Sequence, residues 1–241
     1  KREMVYSRLA KRLRHHGMTR FTDYLSRLER QPDAKEWEAF TNALTTNLTA
    51  FFRESHHFPL LAEHIRHKQD PVTIWCSAAS TGEEPYSIAM TLLETLGAKA
   101  SQAKVIATDI DTDALAKARK GIYPQEQVRK LDEARVKRFF QKGTGNHIGL
   151  ARVRPEVSAL VEFMPLNLLA PQWPIKGPFD AIFCRNVMIY FDKETQAKIL
   201  KRFAPLMKQD GLLFAGHSEN FSYISDAFKL RGQTVYTLAN K

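Results

Sequence analysis

Two hydrophobic rhythms divide the chain. Over residues 1–67 the apolar positions recur at helical spacing: Val5, Leu9 and Leu13 form one stripe, and Phe21, Tyr24, Leu25 and Leu28 another. Arg8, Lys11, Arg12 and Arg14 lie beside the first stripe on a broad polar face. Gln31-Pro32-Asp33 breaks the pattern, and helices are predicted over 34–45 and 56–67, separated by segment 46–53. Asp70-Pro71 marks a boundary.

From Val72 the rhythm becomes strand, helix, strand. β-Branched and aromatic runs predict strands at 72–76, 104–108, 161–165, 179–184, 211–215, 228–231 and 234–238. Helices fit at 83–96, 112–120 and 193–207. Such alternation argues for an α/β fold, with a mostly parallel sheet covered on both faces. Only Gly232-Gln233 separates the last two strands, which predicts an antiparallel hairpin at the sheet edge. Residues 121–160 do not fit the alternation, and an insertion is expected at about 125–160. A helix over 125–141, a turn at Gly143-Thr144-Gly145-Asn146 and a short strand pair over 149–157 suggest an inserted β subdomain. The expected organisation is therefore a helical domain and linker over 1–67 and a second domain over 68–241 that carries the insertion.

The 241 residues, 44% of them hydrophobic, suffice for one sizeable core with a small satellite. No apolar run approaches the length of a membrane span, and no signal-peptide pattern opens the chain. It begins at Lys1 without Met, so residues upstream are expected to be missing. Two cysteines, Cys76 and Cys184, make no disulfide framework; reduced thiols in a cytoplasmic protein are expected. The net charge of +10 is concentrated at the start, where residues 1–20 hold seven Lys/Arg against Glu3 alone. Such an excess implies an acidic partner without choosing among nucleic acid, lipid and protein.

The chemistry-bearing unit is VTIWCSAASTGEEPY, followed by KVIATDID: a strand, a tight turn, a helix with an acidic start, and a second strand tipped by Asp109. Open α/β sheets bind nucleosides at such a unit, the acid accepting from ribose hydroxyls. The turn has one glycine, Gly82, and lacks both G-x-G-x-x-G and the phosphate cradle G-x-x-x-x-G-K-[ST]. A ribose cofactor without phosphates fits better, S-adenosylmethionine being the common one; a plain strand–helix turn fits equally well. Asp111 is the better N-cap for the helix at Thr112, which leaves Asp109 free. Arg185, Asn186 and Tyr190 follow the strand at 179–184, at the sheet's ligand-binding edge. In segment 46–53, Arg53 can clamp a carboxylate.

His56, His57, His64 and His67 form a doublet plus a loose i, i+3 pair that no Cys or acid cluster supports, so no metal is expected. Gly216-His217-Ser218-Glu219-Asn220 lacks the closing glycine of G-x-S-x-G and reads as a loop lining or capping the pocket.

TNLTAFFRE, ASTGEEPYS, ATDIDTDAL, FDAIFCRNVMIYFD, GLLFAGHSENF and LRGQTVY together resemble the bacterial chemotaxis receptor methyltransferases, which are protein-glutamate O-methyltransferases using S-adenosylmethionine. The likeness runs in order from Lys1 to the C-terminus. It implies a class I methyltransferase fold and methyl transfer to receptor glutamates, with S-adenosylhomocysteine and glutamate methyl ester as products. It also implies site roles. Asn47, Thr49 and Arg53 resemble the N-terminal cofactor contacts, with Arg53 facing the methionine carboxylate. Glu84 and Asp109 resemble the acidic contacts, Asn167 and Leu168 the adenine side, and Arg185 and Asn186 the rim. Tyr190 resembles the residue near the transferred methyl. Arg8 and Arg14 match receptor-facing arginines. The Gly143-Thr144-Gly145 turn matches members that tether a receptor's C-terminal pentapeptide. The resemblance implies a monomer, no nucleic-acid partner and no membrane insertion. Two other classes remain: a nucleic-acid methyltransferase, favoured only by charge and lacking an N/D-P-P-Y motif, and a non-catalytic cofactor-dependent adaptor.

Overall fold

A computed structural model describes residues 2–31 and 33–239. Helices α1 (Arg2–His15), α2 (Phe21–Arg30) and α3 (Ala34–Leu44) enclose a small core of Leu9, Leu13 and Tyr24, backed by Phe21, Phe40 and Leu44. Val5 and Leu25, expected in the apolar stripes, are instead exposed. Pro32 lies outside the described residues. A buried-edge polar knot joins the three helices: the Tyr24 hydroxyl donates to Glu36 Oε1 at 2.6 Å, and the Arg12 guanidinium pairs with the same carboxylate.

Helix α4 (His57–Ile65) does not join that small core. Its Phe58, Leu61 and Ile65 enter the main one, against strands and α5 (Glu83–Leu96). His57 and His64 fasten α4 to the sheet domain, bonding the Gln233 and Asp180 carbonyls at 3.1 and 3.2 Å.

The central sheet comprises β1 (Thr73–Cys76), β2 (Lys104–Asp109), β6 (Val161–Pro165), β7 (Phe179–Cys184), β8 (Met207–Ala215), β9 (Phe228–Gly232) and β10 (Val235–Leu238). Their order is β6-β2-β1-β7-β8-β10-β9, parallel except where β10 runs against β8 and β9. This is the class I methyltransferase arrangement. Every residue of β7 is buried, as a central parallel strand sandwiched by helices requires. Helix α10 (Lys193–Phe203) buries Ile199, Leu200 and Phe203 on one face, while α5 covers the other. The predicted strand at 211–215 extends back to Met207, because β7 pairs with it from Phe179.

Between α6 (Thr112–Lys120) and β6 lies a second sheet of three strands, β3 (Ile122–Pro124), β4 (Phe140–Lys142) and β5 (Leu150–Val153), in the order β3-β5-β4. The expected helix over 125–141 is two, α7 (Gln125–Val128) and α8 (Glu133–Phe139), because Asp132 caps a new helix start by accepting from the Arg135 N–H at 2.9 Å. The expected strand pair over 149–157 is β5 followed by α9 (Pro155–Ser158); Pro155 at the helix start ends the strand. Phe51 packs edge-on against Tyr123 and Phe140, which knots segment 46–53 to this sheet. Among the described residues no helix is long and apolar enough to cross a membrane.

Candidate functional site

The chain passes from β1 to β2 on one side of the sheet and later returns to β7 on the other, which opens a crevice beyond the carboxyl ends of the strands. A cavity of about 390 Å³ occupies this place. It is lined by Asn47, Thr49, Arg53, Glu84, Asp109, Asn167, Leu168, Arg185, Asn186 and Tyr190, so the ten expected pocket residues meet there.

Asp109 ends β2 with both carboxylate oxygens oriented by backbone: Ser80 N–H donates to Oδ2 at 2.7 Å and Asp111 N–H to Oδ1 at 2.9 Å. Burial raises this carboxyl, and the two N–H bonds oppose the rise. Asp111 caps α6 through the Ala114 N–H at 2.9 Å and also accepts from the Asn47 amide at 2.7 Å. The Ser80 hydroxyl donates to the Asn47 oxygen at 2.8 Å. Asn47 is therefore clamped between the turn after β1 and the start of α6. Arg53 bends back so that one guanidinium N–H donates to the Leu48 carbonyl at 2.8 Å.

Arg185 does not stand at an exposed rim. It is buried within the cavity wall and donates to Glu84 at 2.7 Å and to the Arg53 carbonyl at 2.6 Å, with Glu54 at 3.1 Å. Burial pushes the Glu84 carboxyl up, and Arg185 draws it back. The buried Nε of Arg185 has no hydrogen-bond partner among the described residues, so this wall of the cavity still holds a donor. That donor, the acids Asp109 and Glu84, and the apolar Leu166, Leu168 and Ile110 fit a ligand with a ribose, a base and a charged tail. Tyr190 sits in a tight turn, Met188–Tyr190, with its side chain 61% exposed at the mouth.

The single glycine of the turn serves packing rather than ligand approach. Gly82 has φ of 100°, and a Cβ there would lie 2.7 Å from the Tyr123 hydroxyl and 2.9 Å from Ala118 Cβ. The ligand side of the turn is formed by Ser77, Ala78 and Ser80. Cys76 and Cys184 are both free and fully buried, and burial pushes both thiols up.

The model of the family's all-alpha domain (CheR methyltransferase, all-alpha domain) matches residues 1–45, and that of its SAM binding domain (CheR methyltransferase, SAM binding domain) matches residues 47–237. This chain belongs to the CheR methyltransferase family. It is 61% identical over 239 residues to the chemotaxis protein methyltransferase of Escherichia coli, covering 99% of this chain and 84% of that protein. It is 62% identical over 241 residues to that of Klebsiella aerogenes, covering 100% and 83%. Chemotaxis protein methyltransferase 2 of Pseudomonas aeruginosa is 53% identical over 242 residues, covering 99% and 86%. The cofactor of this CheR family member is S-adenosylmethionine.

Two arginines expected to face the receptor stand apart from the cavity and differ from each other. Arg14 is exposed on α1. Arg8 donates to the Leu44 and Thr45 carbonyls at 2.7 and 2.9 Å and to the Thr46 hydroxyl at 2.9 Å. It thus neutralises the C-terminal end of α3 at Leu44, three residues before Asn47.

Sequence reading missed two acids of this CheR-family site. Glu54 has φ of 52° and joins Arg185, Asn186 and His217. Glu219 accepts backbone N–H groups from Gly216, Asn186 and Ile189. The partners of Glu54 lie far along the chain and only its adjacency to Arg53 signals it, whereas Glu219 belongs to the loop 216–220 already read as lining or capping the pocket, with Asn186 and Ile189 as its distant partners.

Proposed function

We propose that this protein transfers a methyl group from S-adenosylmethionine to glutamate side chains of membrane chemotaxis receptors, giving glutamate methyl esters and S-adenosylhomocysteine. The observation that carries this reading is the convergence of Asn47, Arg53, Glu84, Asp109, Asn186 and Tyr190 on one cavity in a chain of this family.

The bound cofactor supplies a methyl on a cationic sulfur that keeps the S–CH₃ electron pair as the bond breaks. Asp109, already aimed by Ser80 and Asp111, accepts from the ribose hydroxyls. Arg53 meets the methionine carboxylate, with Asn47 and Thr49 beside it. Arg185 holds Glu84 in place and offers its free Nε–H. Asn167 and Leu168 take the adenine side.

The acceptor needs no general base, because a free glutamate, with a pKa of about 4.3, is ionised at neutral pH. The protein's task is alignment of carboxylate oxygen, methyl carbon and sulfur, and positioning of this kind supplies up to roughly 7–11 kcal/mol. Tyr190, at the mouth, positions the incoming carboxylate. The exposed basic face of α1, Arg14 included, meets the acidic receptor helix and raises association rate. We place the division between receptor-facing helical domain and catalytic domain at residues 45–47, where the α1–α3 core ends. The inserted sheet, with β4 running into Gly143, is assigned to the receptor's C-terminal pentapeptide. The enzyme acts as a cytoplasmic monomer.

Incubation with methyl-labelled S-adenosylmethionine and receptor-bearing membranes, followed by mild base, tests the reaction. Release of volatile methanol is expected. Label that stays on RNA, or no transfer at all, refutes the reading.

A further inference from the structure

The loop after β8 carries polar groups that the cofactor cavity does not use. Glu219, nearly fully buried, accepts the Gly216 N–H at 2.6 Å and the Asn186 N–H at 2.9 Å through one oxygen, and the Ile189 N–H at 3.3 Å through the other. Loop and rim are thereby joined into one piece, and Tyr190 is on that rim. The approach is close: a Cβ on Gly216 would lie 2.4 Å from the Asn186 amide nitrogen and 2.9 Å from its backbone nitrogen.

Glu54 secures the same loop from the other side. One oxygen accepts the His217 backbone N–H at 3.1 Å; the other accepts from the His217 ring Nδ1 at 3.0 Å and from the Asn186 amide at 3.2 Å. His217 and Asn186 therefore converge on a single oxygen, and Asn186 lines the cavity. Glu54 holds this position in a left-handed backbone conformation that glutamate seldom adopts, a cost accepted at sites where geometry matters. Yet the His217 side chain remains 68% exposed, with its outer nitrogen Nε2 3.1 Å from the Ser218 hydroxyl. A solvated surface histidine has no need of two anchors on a buried-edge carboxylate.

We infer that His217 and Ser218 form the acceptor subsite, a pair of outward donors that receives the substrate glutamate's carboxylate on the loop that Glu219 joins to the Tyr190 rim. This rests on the methyltransferase reading above. The ring donates inward through Nδ1 to Glu54, and the subsite requires the ring with both nitrogens protonated. In that form Nε2–H donates to one oxygen of the incoming carboxylate, and the Ser218 hydroxyl rotates to donate as well. No proton is transferred to the acceptor, which stays anionic until the methyl arrives. The resulting neutral ester is a weaker hydrogen-bond acceptor, which favours its release.

The test uses the full chain with receptor-bearing membranes. His217→Ala and Ser218→Ala are compared with the unsubstituted protein for receptor KM and kcat, and for S-adenosylhomocysteine affinity by calorimetry. Ser218→Ala leaves every Glu54 and Glu219 bond intact, so it guards against a folding defect in His217→Ala. The expected result is a receptor KM raised about 10-fold in His217→Ala and about 3-fold in Ser218→Ala, the loss of one charge-assisted and one neutral hydrogen bond, with cofactor affinity within about 2-fold. A receptor KM unchanged in both variants, a loss confined to kcat, or a parallel loss of cofactor affinity overturns the inference. Failure of the unsubstituted protein to form base-labile methyl groups refutes the methyltransferase reading itself, a distinct outcome.

Discussion

Nη1 of Arg185 lies 2.7 Å from Oε2 of Glu84, and the guanidinium side chain is wholly buried. Removing one member of such a pair leaves the other charged and unsolvated. Glu84→Ala is expected to cost roughly 3–5 kcal/mol in stability, while Glu84→Gln, which keeps a carbonyl acceptor, costs less. Urea unfolding of both variants measures the difference. Equal and small losses would show that Arg185 finds compensation elsewhere.

Asp109 is predicted to act on the ligand rather than on the fold. Asp109→Asn retains one oxygen for backbone N–H donation but loses the charge that ribose hydroxyls bond. A charged hydrogen bond contributes about 1.5–3 kcal/mol, so S-adenosylhomocysteine affinity should fall about 10- to 100-fold. Calorimetric titration reads this directly, and affinity within 2-fold of the parent would remove Asp109 from the ribose.

Arg8 and Arg14 should separate experimentally. Arg8→Ala frees the end of α3 and the Thr46 hydroxyl, so cofactor affinity should weaken by about 1 kcal/mol with little dependence on salt. Arg14→Glu should leave cofactor affinity intact and slow receptor methylation, most of all at low ionic strength. Identical effects from the two substitutions would contradict the different contacts of these side chains.

Acid should unfold the protein in two stages. Burial pushes His57 down to about 4, and nearby Arg185 adds to this. An unfolded histidine takes its proton near pH 6.5, so stability is lost as pH falls from about 6.5 through 4. Burial alone would raise the Glu54 carboxyl, but the His217 ring bond and the Arg185 charge outweigh it and bring it down to about 2. Unfolded glutamate titrates near 4.3, so this contribution is complete above about pH 4.3 and disappears toward pH 2. Denaturant midpoints measured from pH 8 to 3 should show both stages. His57→Gln should flatten the first and spare the second.

The strands and helices that form the frame were legible because their signals are local. The run at 179–184 is apolar throughout, and α5 and α6 have acidic starts with apolar faces; all three appear with the expected bounds. The inserted sheet was legible only as a departure from the alternation, since strands of three or four residues carry too few positions for a period. At the site, residues on strand ends were identifiable from topology. The depth of a charged side chain was not. Arg185 reads as a rim residue in sequence and is buried in the fold, because its partners Glu54 and Glu84 lie more than a hundred residues upstream. Val5 shows the converse, an apolar residue at core spacing that remains exposed.

The Tyr123 hydroxyl donates to the Thr81 carbonyl at 2.7 Å and lies where any side chain on Gly82 would project. The inserted sheet is thus a buttress for the cofactor turn as well as a surface facing outward. A chain trimmed of residues 122–153 would lose the support beneath Thr81 and the aromatic seat of Phe51 together. Shortening the insertion in evolution or by design therefore requires a new brace at Tyr123, whatever becomes of the surface it presents.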